Sequence, residues 1–172
     1  FRYSLSYRDI EELMAERGIK VDHATIQRWV VKYTPLLEME FRKHKKDVGC
    51  SWRMDETYIK IKGTWYYLYR AVSKTGKTID FLLTEKRNTK AAKRFLVKAI
   101  NQNGTPEKIT IDKSGANNAA IVEYNKENQT NIEIRQVKYL NNIVEQDHRG
   151  IKRITKVMLG FKSFNAASIT LG

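Results

Sequence analysis

Cysteine occurs once in the 172 residues, at Cys50. An intrachain disulfide is therefore excluded, and the chain fits a reducing compartment. One cysteine and three histidines also leave no tetrahedral zinc site of the usual ligand spacing. There is no apolar run long enough to span a bilayer, no signal peptide and no basic amphipathic anchor. These absences predict a cytoplasmic protein with no membrane partner. Internal repeats and low-complexity segments are missing too. Acid is in short supply: 19 Asp and Glu stand against 32 Lys and Arg, a net charge of +13. The excess is uneven, since residues 1–50 carry 10 basic and 8 acidic side chains while residues 51–172 carry 22 and 11. A polyanion, nucleic acid first, is the partner that such a charge fits. An anionic membrane surface and a merely soluble basic surface are the competing readings.

What is present is enough apolar residue, 41%, to build a core in one ordinary domain or in a small domain joined to a medium one. The chain starts at Phe1 rather than Met and stops at Gly172, and it reads as a fragment. Ser6 with Asp9 has the form of a capping box; Ile10, Leu13 and Met14 follow at helical spacing, and Gly18 stops the helix. A second helix is expected from Ala24 to Tyr33, with Ile26, Trp29, Val30 and Tyr33 inward and Thr25, Gln27, Arg28 and Lys32 outward. His23 reads as a capping or surface residue. Two short helices joined through a glycine are the pattern of a DNA-reading helix-turn-helix, and equally of a plain helical hairpin. Thr34-Pro35 starts a third helix through Leu36, Leu37, Met39 and Phe41, which dissolves into the basic run 42–46. A domain boundary falls near Val48-Gly49-Cys50, so residues 1–47 form a small all-α domain with a linker helix and residues 51–172 a second domain.

From Trp52 the period becomes extended. Trp52 to Ile61, Thr64 to Val72 and Thr78 to Leu83 read as an antiparallel meander, with Lys62-Gly63 at the first turn. On the first strand Asp55, Thr57, Ile59 and Ile61 share one face, and Met54, Glu56, Tyr58 and Lys60 the other. A helix opened by Asn88 or Thr89 follows, with Ala91, Ala92, Phe95, Leu96, Ala99 and Ile100 inward and Lys90, Lys93, Arg94 and Lys98 largely outward. Then come a strand Lys108 to Ile111, a helix Ala116 to Asn128, a strand Ile132 to Val137 and a helix Ile143 to Lys156. That order predicts a mixed α/β sheet of the ribonuclease H-like kind, flanked by helices. In the last helix Val144, Ile151, Ile154 and Met158 lie on one side, with Asp147 toward that edge. Glu145, His148, Arg149, Lys152 and Lys156 form a separate stripe.

Three acids stand out. Asp55 shares its strand face with apolar residues, where a carboxylate must be hydrogen-bonded, ion-paired or holding a metal. Asp112 opens a loop at the carboxyl end of a strand, where α/β sheets place functional groups. Glu145 lies in the first turn of the last helix; alternatively it is only the capping-box partner of Asn142. The predicted fold brings the three together where the first and fourth strands lie side by side. A cluster of carboxylates implies a cation or a shifted pKa, and oxygen donors suit Mg²⁺ or Mn²⁺. Two such ions about 4 Å apart activate the attacking oxygen and stabilise the leaving one in a displacement at phosphorus. Arg149 and Lys152 beside the third acid would hold phosphates of a DNA strand.

The run Trp52-Arg53-Met54-Asp55-Glu56-Thr57-Tyr58-Ile59-Lys60, with Leu68-Tyr69-Arg70-Ala71-Val72, resembles the first acidic motif of DDE transposases of bacterial insertion sequences, in particular the IS6 family with IS26 and IS257. Thr110-Ile111-Asp112-Lys113 is similar to the second motif. Residues Tyr139 to Arg149, with Ile151-Lys152-Arg153, are similar to the third, including a basic residue seven after the Glu. Leu5 to Ile10 and Thr25 to Val30 resemble the family's helix-turn-helix. The resemblance implies a ribonuclease H-like core, catalytic and metal-binding roles for Asp55, Asp112 and Glu145, and DNA contact for Lys152. It further implies divalent metal, binding to the element's terminal inverted repeats, release of a 3′-hydroxyl by hydrolysis, and joining of that hydroxyl to target DNA by a homo-oligomer. Ile111 and Gly150 depart from the family pattern, and the family's usual first residues and last helices are missing. A binding module that keeps the DNA-reading helices without catalysis is the alternative, and a nuclease that cuts without joining a more distant one.

Overall fold

A computed structural model describes residues 5–44, 48–157 and 160–171. The elements run α1 (Tyr7–Glu16), α2 (His23–Lys43), β1 (Ser51–Ile61), β2 (Thr64–Ser73), β3 (Thr78–Thr84), α3 (Thr89–Asn103), β4 (Lys108–Ile111), α4 (Gly115–Asn128), β5 (Glu133–Gln136), α5 (Asn142–Val157) and α6 (Phe164–Leu171). They fall into two compact units, one of Phe1–Lys45, Lys60–Gly63 and Ile151–Gly172, the other of Lys46–Ile59 and Thr64–Gly150. Among the described residues no helix is long and apolar enough to cross a membrane. The Lys45 and Lys46 of the basic run, Met158, and the side chains of Asp147 and Ile154 lie outside the described residues.

The larger unit holds a mixed five-stranded sheet in the order β3-β2-β1-β4-β5. Its first turn is set by Lys62 and Gly63, both left-handed with φ of 47° and 82°, the two-residue geometry whose twist matches the flanking strands. β2 and β3 pair antiparallel, while β1 pairs with β4, and β4 with β5, in parallel. The meander and the two helix-linked strands are thus those expected. β1 buries both faces at Trp52 to Met54, then alternates: Thr57, Ile59 and Ile61 are buried and Tyr58 and Lys60 exposed. Trp52, Met54, Tyr69, Phe95, Leu96, Ile109, Ile111 and Ile121 belong to one continuous core. Asn88 caps α3 by accepting from the Ala91 amide at 2.9 Å, and α3 buries five of the six apolar residues expected inward, Ala91 at its start being only half-buried. Lys98 departs from its outward reading: its ammonium donates to buried Asp80 at 2.9 Å and to the Phe81 carbonyl at 2.8 Å, because a carboxylate inside β3 requires a cation.

In the smaller unit Ser6 and Asp9 close the capping box, at 2.6 and 3.2 Å, and Asp22 caps α2 through the Thr25 amide at 2.8 Å. His23 is the first residue of α2, and its Nδ1 lies 2.8 Å from Glu11. The two helices expected at residues 24–41 are one. Pro35 sits inside α2, where it removes a single main-chain bond; strong helix formers on its C-terminal side and the Arg42–Glu38 pair sustain the helix past it. Of the face read as inward, Ile26 is buried, but Trp29 and Tyr33 are exposed, as are Leu36, Leu37, Met39 and Phe41. α6, not foreseen in the sequence, packs on α2.

In α5, Gly150 has nothing within 4 Å of the point where a Cβ would stand. Gly150→Ala is therefore expected to raise stability by about 0.5–1 kcal/mol, seen as a Tm higher by roughly 2–4 °C in a thermal melt.

Candidate active site

β1 and β4 set the first two acids by register. Ser51, Trp52 and Arg53 pair with Lys108, Ile109 and Thr110, and continuing that parallel register by two residues puts Asp55 opposite Asp112. Neighbouring strands stand about 4.8 Å apart, and in a parallel pair equivalent residues face the same way. Asp112 leaves β4 and turns back on its own loop, its Oδ1 accepting from the Ser114 amide at 2.8 Å.

The third acid is placed by ties to β1. A 3-10 turn, Lys138–Asn141, runs straight into α5. The Arg53 guanidinium donates from Nε to the Leu140 carbonyl at 3.1 Å, and buried Asn141 reaches the Met54 carbonyl at 3.5 Å. Asn142 is already helical, with φ −53° and ψ −30°, whereas an N-cap is extended. The capping-box account of Glu145 is therefore not realised. One turn further His148, 5% exposed, turns inward rather than joining the basic stripe, and its Nδ1 is 3.7 Å from Asp55 Oδ2. Arg149, Lys152 and Lys156 are exposed.

Asp55 shows the electrostatic consequence. Burial, the adjacent Glu56 carboxylate, and the charges of Asp112 and Glu145 push its carboxyl from 3.8 up to about 7, against one backbone hydrogen bond. Among the described residues no group of three or more His, Cys, Asp or Glu closes on a common point as a ready metal cage. Asp55 feels the charges of the other two acids, and the three do not meet.

Several residues at the site lie outside the set of site residues expected from the sequence. Besides Arg53, Asn141 and His148, Glu56 is nearly sealed, its side chain 4% exposed, and pairs with Arg87 from the β3–α3 loop. Its other oxygen accepts from Asn117 of α4 at 2.8 Å. The argument applied to Asp55, that an acid on a packed strand needs a partner, would have found Glu56 as well. In the smaller unit the expected DNA-reading residues are at the start of α2. Thr25 donates its hydroxyl to Asp22 at 2.8 Å and accepts from Arg28 at 2.8 Å, while Gln27 and Arg28 are exposed.

Known proteins are similar to this chain in sequence and fold. A family model described as a DDE domain, that of IS240-type transposases, matches residues 49–172. The transposase of insertion sequence-like element IS431mec from Staphylococcus aureus is 43% identical over 172 residues, covering 99% of this chain and 75% of that protein. The chain belongs to the IS6 family of DDE transposases. Another relative in this family, the transposase of IS257 in transposon Tn4003 of Staphylococcus aureus, is 42% identical over the same shares. Among solved structures, the HTLV-2 integrase catalytic core in complex with magnesium, a dimeric form, is similar with a TM-score of 0.54 and 20% identity, over 65% of this chain and 72% of that one. The BIV integrase catalytic core gives 0.53 and 16%, over 72% and 80%. These likenesses show that the transposase sheet has the ribonuclease H-like fold.

Because folding raises the Asp55 pKa, the folded state holds the proton better than the unfolded one. Stability is thus highest below 3.8 and falls as pH rises toward 7, by on the order of 4 kcal/mol in total. In metal-free buffer at pH 8, Asp55→Asn is expected to be more stable than wild type by a few kcal/mol, with the difference near zero at pH 4, measured by urea denaturation.

Proposed function

We propose that this transposase cleaves DNA strands at the terminal inverted repeats of an insertion sequence and joins the freed ends to target DNA, with Asp55, Asp112 and Glu145 holding Mg²⁺ or Mn²⁺, two ions in the working site. The observation that carries the reading is the β1–β4 register, which continued by two residues sets Asp55 beside Asp112, together with an Asp55 carboxyl whose proton affinity is raised by burial first, then by Glu56, and also by Asp112 and Glu145. Carboxylates held where they repel one another suit a hard divalent cation, which relieves the repulsion. The donor set, oxygen only, fits that ion class. Bound there, such ions would lower the pKa of the attacking oxygen and stabilise the leaving one.

The chain's own groups then have separate tasks. Asp55 gives up its proton to become a ligand, and His148, 3.7 Å away, stands where it steadies the ionised form. Asp112 and Glu145 supply the remaining carboxylates. Water attacks the phosphodiester at the element end, the P–O3′ bond on its far side breaks, and a free 3′-hydroxyl remains. That hydroxyl later attacks a target phosphodiester and displaces the target's own 3′-oxygen. Exposed Arg149 and Lys152 on α5 hold phosphates, and α2, through Thr25, Gln27 and Arg28, reads the end sequence. Residues 1–47 accordingly serve as the DNA-reading domain and residues 51–172 as the catalytic one. Double-stranded DNA is the partner, and the working form is a homo-oligomer, as the dimeric form of the HTLV-2 core suggests by analogy.

With an oligonucleotide carrying the element end and Mn²⁺, Asp112→Asn and Glu145→Gln are each expected to slow cleavage about 10²–10⁴-fold, the several kcal/mol a metal contributes, while DNA affinity stays within about twofold by anisotropy. Full activity in either variant removes that residue from the ligand set. Slow cleavage in wild type with intact DNA binding would favour the non-catalytic binding module instead.

Lys152→Ala tests the phosphate contact. The logarithmic salt dependence of DNA affinity should become shallower by about one, with cleavage of saturating DNA little changed. An unaltered slope contradicts the assignment.

A further inference from the structure

Three side chains, Glu56, Arg87 and Asn117, form a bonded chain that the metal chemistry does not account for. Glu56 follows Asp55 directly on β1, and its side chain is 4% exposed. One oxygen is engaged by Arg87, the other by the Asn117 amide at 2.8 Å. Asn117 is fully buried and lies in the first turn of α4, the helix entered by the loop that Asp112 opens. Glu56 thus links the strand of the first acid to the helix behind the second. A buried carboxylate with both oxygens bonded is rigid, and so is whatever it holds.

What it holds on its outer side is a guanidinium 40% exposed. One terminal nitrogen is used on Glu56, and a guanidinium has five N–H donors in a fixed fork, more than one carboxylate oxygen takes up. Burial lowers the proton affinity of Arg87, but the charge and hydrogen bond of Glu56 outweigh it, with smaller contributions from Tyr58 and Asp112, so the group stands within electrostatic reach of the second acid. An acidic site that must take up a polyanion needs a cation at its rim, and one already oriented loses less freedom on binding.

We propose that Arg87 is a phosphate-binding residue of the catalytic site, positioned by Glu56, which grips the DNA backbone next to the scissile bond. The proposal rests on the functional reading above and adds a contact to it. Glu56 is a positioning residue: it touches no DNA, and acts by fixing Arg87 and by tying β1 to α4 through Asn117. The pairing also explains why a second carboxylate can follow Asp55 on the strand without joining the metal ligands, since both its oxygens are already taken.

The test is DNA affinity against salt concentration in Ca²⁺, which supports binding without turnover, together with KM and kcat for cleavage in Mn²⁺. Removing Arg87 alone would leave Glu56 buried without its cation, which destabilises the site for reasons unrelated to DNA, so the double variant Glu56→Gln/Arg87→Gln, which keeps amide hydrogen bonding, is measured beside Arg87→Gln and Arg87→Lys. Both variants lacking the cation are expected to bind DNA about tenfold more weakly at moderate salt, with a slope shallower by about one, and to show raised KM. Arg87→Lys should restore the slope but not the full affinity, because an ammonium cannot make the paired contact. Wild-type slope, affinity and KM in the double variant, in a preparation whose wild type cleaves, would overturn the role of Arg87 alone. A wild type that shows no metal-dependent cleavage would overturn the functional reading and this inference with it.

Discussion

Pairing β1 with β4 in parallel, at the register of Ser51 with Lys108, sets two aspartates at one level of the sheet, at the carboxyl end of β4 and beside it on β1. Everything else about the site is arranged around holding that pair together. Left to themselves the carboxylates would separate, and the fold resists; the raised proton affinity of Asp55 reflects burial first, then the charges of Glu56, Asp112 and Glu145. The resistance comes from the strands' own burial. Trp52, Met54, Ile109 and Ile111 are each at most 1% exposed, and each fully buried apolar side chain of this size contributes about 1.5–3 kcal/mol. A few such residues outweigh the strain at one carboxylate. Arg53 and Asn141 then hook the 3-10 turn onto β1 and deliver the start of α5, so Glu145 arrives as a consequence of the same strand.

Much of this was legible in the sequence because it depends on local pattern. The alternation along β1, the Lys62-Gly63 turn, the caps at Ser6 and Asn88, and the strand-end position of Asp112 each follow from residue type and spacing, and the structure shows them. What was not legible depends on distant partners. Pro35 marks a helix start by its local preference, yet α2 runs through it, since one missing main-chain bond does not end a helix of good formers. Lys98 sits on the outer stripe of α3 by periodicity, yet Asp80 draws it in. His148 shares the helical stripe of Arg149 and Lys152, yet is buried against Asp55. The exposed apolar residues of α2, from Trp29 to Phe41, are equally invisible to a periodicity argument, which assigns a face without knowing what covers it.

The site is therefore strained by design of its topology rather than by any single contact. A sheet that could do without its acids would be more stable at neutral pH, and the transposase retains them where they repel one another. The same logic separates the two carboxylates that stand next to each other on β1. Asp55 is buried and has carboxylate neighbours, Glu56 first, that raise its affinity for protons; Glu56 has an arginine and an amide that satisfy it. Adjacent residues of like chemistry thus end with different functions because the alternating strand points them at different partners.

The most direct measurement of the central claim, that the three acids form one cation site, is calorimetric titration of the wild-type chain and Asp55→Asn with Mn²⁺ at pH 6 in two buffers of different ionisation enthalpy. At that pH Asp55 is largely protonated, given a pKa of about 7, so metal binding should release close to one proton per site in wild type. Asp55→Asn should release none and bind more weakly. Binding by wild type without proton release, or an Asp55→Asn variant that binds Mn²⁺ as tightly as wild type, would contradict the account.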